Sequence, residues 1–313
     1  MLDSNILNSL RHNMGQTIMA ALDDNDVMEI MLNGDSTLWV DTFSRGQYCT
    51  GKVDPIKAKG IISMVASLLG TTVTKDSPIV EGELPLDGSR FEGLFPPVVE
   101  NPVFTIRKKA LKVFTLDDYV DNNIMSEKAR DHIHQAVDSK QNILVVGGTG
   151  SGKTTLCNAV LAEISTRCPD DRLIIIEDTA ELQCKCKNKV ILRTAPTTTM
   201  QHLLKATMRL RPDRIIVGEV RGGEALDLLK AWNTGHPGGL CTVHANDSKG
   251  GLIRIEQLIA EVSKSPMQVL IKEAINLVIF IKKTPQGRKV KEVAKVTNIA
   301  DGNYNLEYII KDN

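Results

Sequence analysis

The chain has 313 residues, 42% hydrophobic and 24% charged, which excludes a disordered polypeptide and leaves room for two domains of ordinary size. Its 38 basic and 38 acidic residues cancel, which argues against a broadly basic nucleic-acid-binding surface and leaves only a local patch open. No apolar run approaches the roughly 18 residues that cross a bilayer. Met1-Leu2-Asp3-Ser4-Asn5 lacks the basic-then-apolar text of a secretory leader, so a cytoplasmic protein is expected. The cysteines Cys49, Cys157, Cys168, Cys184, Cys186 and Cys241 show no disulfide-framework spacing, and Cys184-Lys185-Cys186 is a lone C-x-C, favouring free thiols over zinc.

Along the chain, Ile6, Leu10, Met14, Ile18 and Leu22 recur at one-turn spacing and predict an opening helix. Strands follow at 27–32, 38–41 and 46–50, bounded by Asn33-Gly34-Asp35-Ser36 and Ser44-Arg45-Gly46. Pro55 starts a second helix to Leu69, and strands resume at 79–84, 89–95 and 103–107. Residues 1–110 therefore predict an α+β domain, and 111–125 a linker containing a short helix from about Thr115.

From 126 to 313 helices alternate with short strands that are apolar throughout, the pattern of a mainly parallel sheet covered on both faces. Helices are expected at 126–137, 153–165, 199–210, 223–233, 249–262 and 266–275. Strands are expected at 142–146, 173–176, 190–193, 214–217, 240–243, 276–282, 289–298 and 304–310, with Asp301-Gly302-Asn303 turning the last two into a hairpin. Ligands of such sheets gather at the carboxyl ends of the strands.

The strand ending at Val146 runs into Gly147, Gly148, Thr149, Gly150, Ser151, Gly152, Lys153, Thr154 and Thr155, which satisfies G-x-x-x-x-G-K-S/T. Glycines let several backbone N–H groups turn inward on a polyphosphate. The helix beginning at Lys153 adds the positive end of its dipole, Lys153 a charge for the β/γ-phosphates, and Thr154 a hydroxyl ligand for Mg²⁺. The motif thus predicts ATP-type nucleotide and Mg²⁺ as cofactors, without saying what the nucleotide drives.

Acidic residues close two later strands: Glu177-Asp178 after Ile176, and Glu219 after Gly218. We expect Glu177 to polarise the attacking water, Glu219 to stand on the Mg²⁺ side with Thr154, and Asp178 to support the metal. The generic second nucleotide motif carries Asp where this chain has Gly218, so spacing alone does not settle these roles. His244 ends the strand at 240–243 on the same rim and is a candidate donor to a phosphate oxygen. Arg90, Arg107, Arg209, Arg211 and Arg221 are candidates for neutralising the charge of phosphoryl transfer, Arg90 and Arg107 only if the N-terminal domain or a neighbouring subunit brings them there.

Taken together, the loop, Ile176-Glu177-Asp178-Thr179, Arg211-Pro212-Asp213 through Glu219-Val220-Arg221, and Thr234-Gly235-His236 through His244-Ala245-Asn246-Asp247 resemble the traffic ATPases of bacterial secretion. With Glu29-Ile30-Met31-Leu32-Asn33, Ser89-Arg90-Phe91-Glu92-Gly93, Pro96-Pro97 and Ile106-Arg107, the resemblance points to the TrbB-like conjugal transfer ATPases of type IV secretion systems. That family places Gly before Glu in its second nucleotide motif, as here. The resemblance implies a PAS-like N-terminal domain joined to a RecA-like P-loop ATPase domain, a hexameric homo-oligomer, and Arg90 and Arg107 near the phosphates as catalytic groups with Glu177, Glu219 and His244. It also implies inner-membrane components of a conjugation machine as partners, at the cytoplasmic face; the balanced charge leads us to expect no direct sequence-specific nucleic-acid binding. Type II secretion ATPases carry a four-cysteine insert and pilus retraction motors an A-I-R-N-L-V-R-E stretch. Neither occurs here, leaving a pilus motor, and then a nucleic-acid translocase, as the alternatives.

Overall fold

A computed structural model describes residues 4–42, 45–109, 113–195, 197–284 and 286–312. Residues 1–3 of the leader reading, Ser44 of the second turn, 110 at the end of the expected first domain and 111–112 of the expected linker lie outside them. Two compact units divide the chain, Met1–Leu111 and Lys112–Asn313.

In the first unit, helices α1 (Ser4–Asp23) and α2 (Pro55–Leu68) cover one face of an antiparallel sheet. Its strands are β1 (Val27–Leu32), β2 (Thr37–Thr42), β3 (Gly46–Lys52), β4 (Ile79–Glu83), β5 (Arg90–Leu94) and β6 (Val103–Arg107), in the order β3-β2-β1-β6-β5-β4 among the described residues. Alternate strand residues such as Ile30, Leu32, Phe91, Phe104 and Ile106 bury against Leu10, Ile18, Ile61 and Ile62 of the helices. Asp54 starts α2 by accepting the N–H groups of Ile56 and Lys57, with Pro55 at the first helical position.

The second unit begins earlier than expected. A six-residue helix, α3 (Leu116–Asp121), is held by a reciprocal capping box between Thr115 and Asp118, and Leu116, Tyr119 and Met125 join the unit's core. The short helix expected within 111–125 is thus present, and Phe114, Val120 and Ile124 also pack against that core. Helix α4 (Glu127–Asp138) leads into β7 (Ile143–Val146), the phosphate loop and α5 (Lys153–Arg167). Then follow β8 (Leu173–Glu177), β9 (Lys189–Arg193), α6 (Met200–Thr207), β10 (Arg214–Val217), α7 (Glu224–Asn233), β11 (Leu240–Val243), α8 (Ser248–Ala260), α9 (Gln268–Ala274), β12 (Leu277–Thr284), β13 (Gly287–Ala300) and β14 (Asn303–Lys311).

These strands form one sheet in the order β14-β13-β12-β7-β11-β10-β8-β9, parallel from β12 to β9 and antiparallel across β12-β13-β14. Strict alternation sorts its two faces. Ile143, Val145, Leu173 and Ile175 pack with α3, α4 and α5, whereas Leu144, Val146, Ile174 and Ile176 pack with α6 to α9. At the amino ends of the strands the buried Arg214 guanidinium donates to Asp171 (Nε–Oδ2 2.6 Å) and to the Val137 carbonyl (2.9 Å). Structure is anchored at that end, which leaves the carboxyl ends for chemistry.

Candidate functional site

At the carboxyl end of β7 the loop turns through left-handed conformations at Gly150 (φ 67°) and Gly152 (φ 99°), which glycine adopts without strain. A Cβ at Gly147 would strike the Ser151 hydroxyl and lie 2.5 Å from the backbone oxygen of Ile281, so that position admits no side chain. Lys153 is 8% exposed, and its Nζ donates to the carbonyls of Gly147 and Gly148 at 3.1 Å each. The Ser151 hydroxyl is buried without a hydrogen-bond partner. A bound polyphosphate would give both groups acceptor oxygens, so the cradle fits the nucleotide that the motif implies.

From Lys153 a chain of polar contacts runs across the rim. Nζ lies 3.2 Å from His244 Nδ1 and 3.3 Å from Nε2, and His244 Nε2 lies 2.7 Å from Glu219 Oε1. The other Glu219 oxygen accepts from Arg221 Nε (2.9 Å) and Nη2 (2.7 Å), and Arg221 Nη1 reaches Asp178 Oδ2 at 3.4 Å. Asp178 in turn accepts from the Thr194 hydroxyl at 3.0 Å. Burial disfavours the Arg221 cation, but the hydrogen bond to Glu219 and the nearby carboxylates outweigh it and raise its pKa. Sequence reasoning thus selected His244, Glu219, Asp178 and Arg221 separately, and the fold joins them.

Glu177 takes a different place. It is the last residue of β8 and 3% exposed, and its Oε2 accepts the backbone N–H groups of Glu181 (3.0 Å) and Leu182 (2.9 Å). Burial pushes its carboxyl above the ordinary range, and those two N–H groups oppose the shift. Its carboxylate closes the turn after β8, while Glu181 Oε2 accepts from the Thr154 hydroxyl at 3.2 Å. Buried Asn158 of α5 fixes that turn, donating to the Glu181 carbonyl (3.1 Å) and accepting from Gln183 N (2.8 Å). The carboxylate beside the prospective Mg²⁺ ligand is therefore Glu181, which sequence reasoning overlooked. Its signal was the third acid of Glu177-Asp178-Thr179-Ala180-Glu181.

A Cβ at Gly218 would sit 3.4 Å from that of Glu177, in van der Waals contact with it. His236, Arg209 and Arg211 precede β11 and β10 and lie at the amino ends of those strands, away from the rim. In the first unit Arg90 and Arg107 face each other across the β5–β6 ladder, and Arg107 Nε lies 3.6 Å from Glu29 Oε1. Among the described residues no three His, Cys, Asp or Glu side chains form a ready metal cage. The rim instead offers what Mg²⁺ in nucleotide sites uses, one hydroxyl and a carboxylate, with phosphates and water completing the shell.

Residues 12–301 match the family described as "Type II/IV secretion system protein". The chain is 49% identical to the probable conjugal transfer protein TrbB of Sinorhizobium fredii over 302 residues, 96% of this chain and 93% of that protein. It is 31% identical to the type IV secretion system protein VirB11 of Bartonella henselae over 296 residues, 78% of this chain and 82% of that protein. Among solved structures it is similar in fold to the ATPase DotB of Legionella pneumophila, with a TM-score of 0.63, 18% identity, and coverage of 87% of this chain and 77% of that one.

Proposed function

We propose that this chain, which belongs to the type II/IV secretion system protein family, hydrolyses ATP to drive a conjugative type IV secretion machine. The observation that carries the reading is the convergence of Lys153, His244, Glu219 and the Thr154–Glu181 pair on one phosphate loop. On binding, Lys153 exchanges two loop carbonyls for β- and γ-phosphate oxygens. Thr154, with Glu219 or Asp178 through water, would hold Mg²⁺, which would supply charge neutralisation to the phosphates. Glu181 orients a water for attack on the γ-phosphorus and takes its proton, while the bond to the β,γ-bridging oxygen breaks, giving ADP and phosphate. Glu219 holds the His244 imidazole beside the γ-phosphate, whose loss the ring registers. Glu177 supports this set from beneath.

The conjugation assignment is supported by the name of the 49% identical relative and its near full-length match. In this reading the protein works as a homo-oligomeric ring, a hexamer, docked on inner-membrane components of the machine at the cytoplasmic face. Arg90 and Arg107 supply positive charge to a nucleotide, their own or a neighbour's. Among the described residues no helix is long and apolar enough to cross a membrane. Lys153→Ala should abolish turnover, and wild-type turnover in that variant would sink the assignment. Mixing Arg90→Ala subunits with Lys153→Ala subunits should restore part of the activity, since one supplies the loop and the other the arginine. No rescue at any ratio would count against action between subunits.

A further inference from the structure

The strand order fixes which way a bound nucleotide points. Glu181, Glu219 and His244 follow β8, β10 and β11, all on one side of β7, and these are the groups suited to a terminal phosphate. A triphosphate lying along the loop with its γ-phosphate toward them carries its nucleoside the other way, toward β12 and β13. On that side Arg288 lies against the loop. Its Nε approaches the Gly150 carbonyl at 3.4 Å, and a Cβ on Gly152 would come within 2.9 Å of its Cδ.

The position is built and not incidental. Arg288 pairs with Lys283 across the β12–β13 ladder, and Val290, two residues on and on the same face, is buried in the core that holds α5. Strand β13 is tied to the α3–α4 connection by Val290 N donating to the Ile124 carbonyl at 2.7 Å, and by the Lys289 ammonium on the Asn123 carbonyl. Arg288 is half-buried, and its charge is felt by the buried Tyr119 hydroxyl, whose proton burial otherwise holds on more tightly. A guanidinium at this place presents a planar fork to a phosphate and a flat face to a base.

We propose that Arg288 binds the AMP portion of the nucleotide, with the α-phosphate as its charge partner. The proposal rests on the ATPase reading of the loop. An arginine that merely braced the loop would weaken every polyphosphate alike, whereas one that reaches beyond the β-phosphate discriminates between ligands. The test titrates full-length wild type, Arg288→Ala and Arg288→Lys with ATP and with inorganic pyrophosphate, which fills only the inner phosphate positions. Arg288→Ala should weaken ATP by about tenfold or more and leave pyrophosphate within about twofold, the scale of one lost charge-assisted contact. KM should rise with kcat largely kept, and Arg288→Lys should fall between, since it keeps the charge and loses the fork. Equal weakening of both ligands in Arg288→Ala and Arg288→Lys, or unchanged ATP affinity, overturns the proposal. A wild type that bound neither ligand would instead overturn the ATPase reading beneath it.

Discussion

Exchanging the two glutamates separately distinguishes the group that does chemistry from the group that holds it in place. Glu177→Ala removes the acceptor of two backbone N–H groups in a site 3% exposed. At about 1–3 kcal/mol per stranded donor, the loss of stability should reach roughly 2–6 kcal/mol. Glu177→Gln keeps an acceptor oxygen and removes a buried charge, so it should change stability by less than about 1 kcal/mol and leave turnover largely intact. Glu181→Gln keeps an acceptor for Thr154 and should fold normally and bind ATP, while hydrolysis falls by about 10²–10⁴, the share of a positioned base. Urea unfolding, ATP titration and single-turnover hydrolysis read the three quantities independently. A pH series adds a sign. Because burial raises the Glu177 pKa in the folded state, its favourable term is fully present below the unfolded value of about 4.5 and is lost as pH rises through the folded value. The stability of wild type relative to Glu177→Gln should therefore decline from acid to neutral pH. Wild-type hydrolysis by Glu181→Gln, together with a Glu177→Gln that binds ATP and never turns over, would return the base to Glu177 and refute the reasoning.

Gly147→Ala should eliminate ATP binding in a titration, since the new methyl meets the Ile281 carbonyl, a backbone atom that cannot swing aside. Asp171→Asn leaves the buried Arg214 cation without its carboxylate and should cost about 3 kcal/mol in urea unfolding, at the lower end for a broken buried pair because Lys140 and part of Asp171 reach solvent. Burial alone would raise the Asp171 pKa, but Lys140 and Arg214 lower it overall. Wild type should accordingly hold this term above pH about 3.8 and lose it as pH falls through the lower folded value, a slope that Asp171→Asn lacks. His244→Ala should lower kcat by about tenfold or more with little change in ATP affinity, as expected for a group that acts on the transferring phosphate, and an affinity loss of that size with unchanged kcat would assign His244 to binding instead.

Most elements were legible because both-face burial turns each central strand into an apolar run between glycines, prolines and charges, as in Ile143–Val146, Arg214–Val217 and Leu240–Val243. Helix starts carried their caps in the text, Asp54, Ser126, Thr199 and Asp247 among them. The short helix expected from Thr115 is α3, legible from its cap, whereas its attachment to the second unit's core was not. Its stability comes from Leu116, Tyr119 and Met125 meeting a core assembled from distant residues, which composition in a window cannot register.

The burial of Glu177 has a subtler cause, and strand parity explains it. Along β8, Leu173 and Ile175 point to the face covered by α5, and Ile174 and Ile176 to the other. Glu177 continues the first series, so the pleat sends it beneath the start of α5 before the chain leaves the sheet, and a carboxylate sent there must find buried donors. It finds the N–H groups of the turn it begins. The acid able to meet a ligand is the one carried out of the sheet by that turn, four residues later, where Thr154 waits. The same parity on β13 puts Arg288 with Val290 on the α5 face, beside the loop. An acid at a strand end thus marks where a site lies, while the face it occupies decides whether it touches the ligand or supports the residue that does.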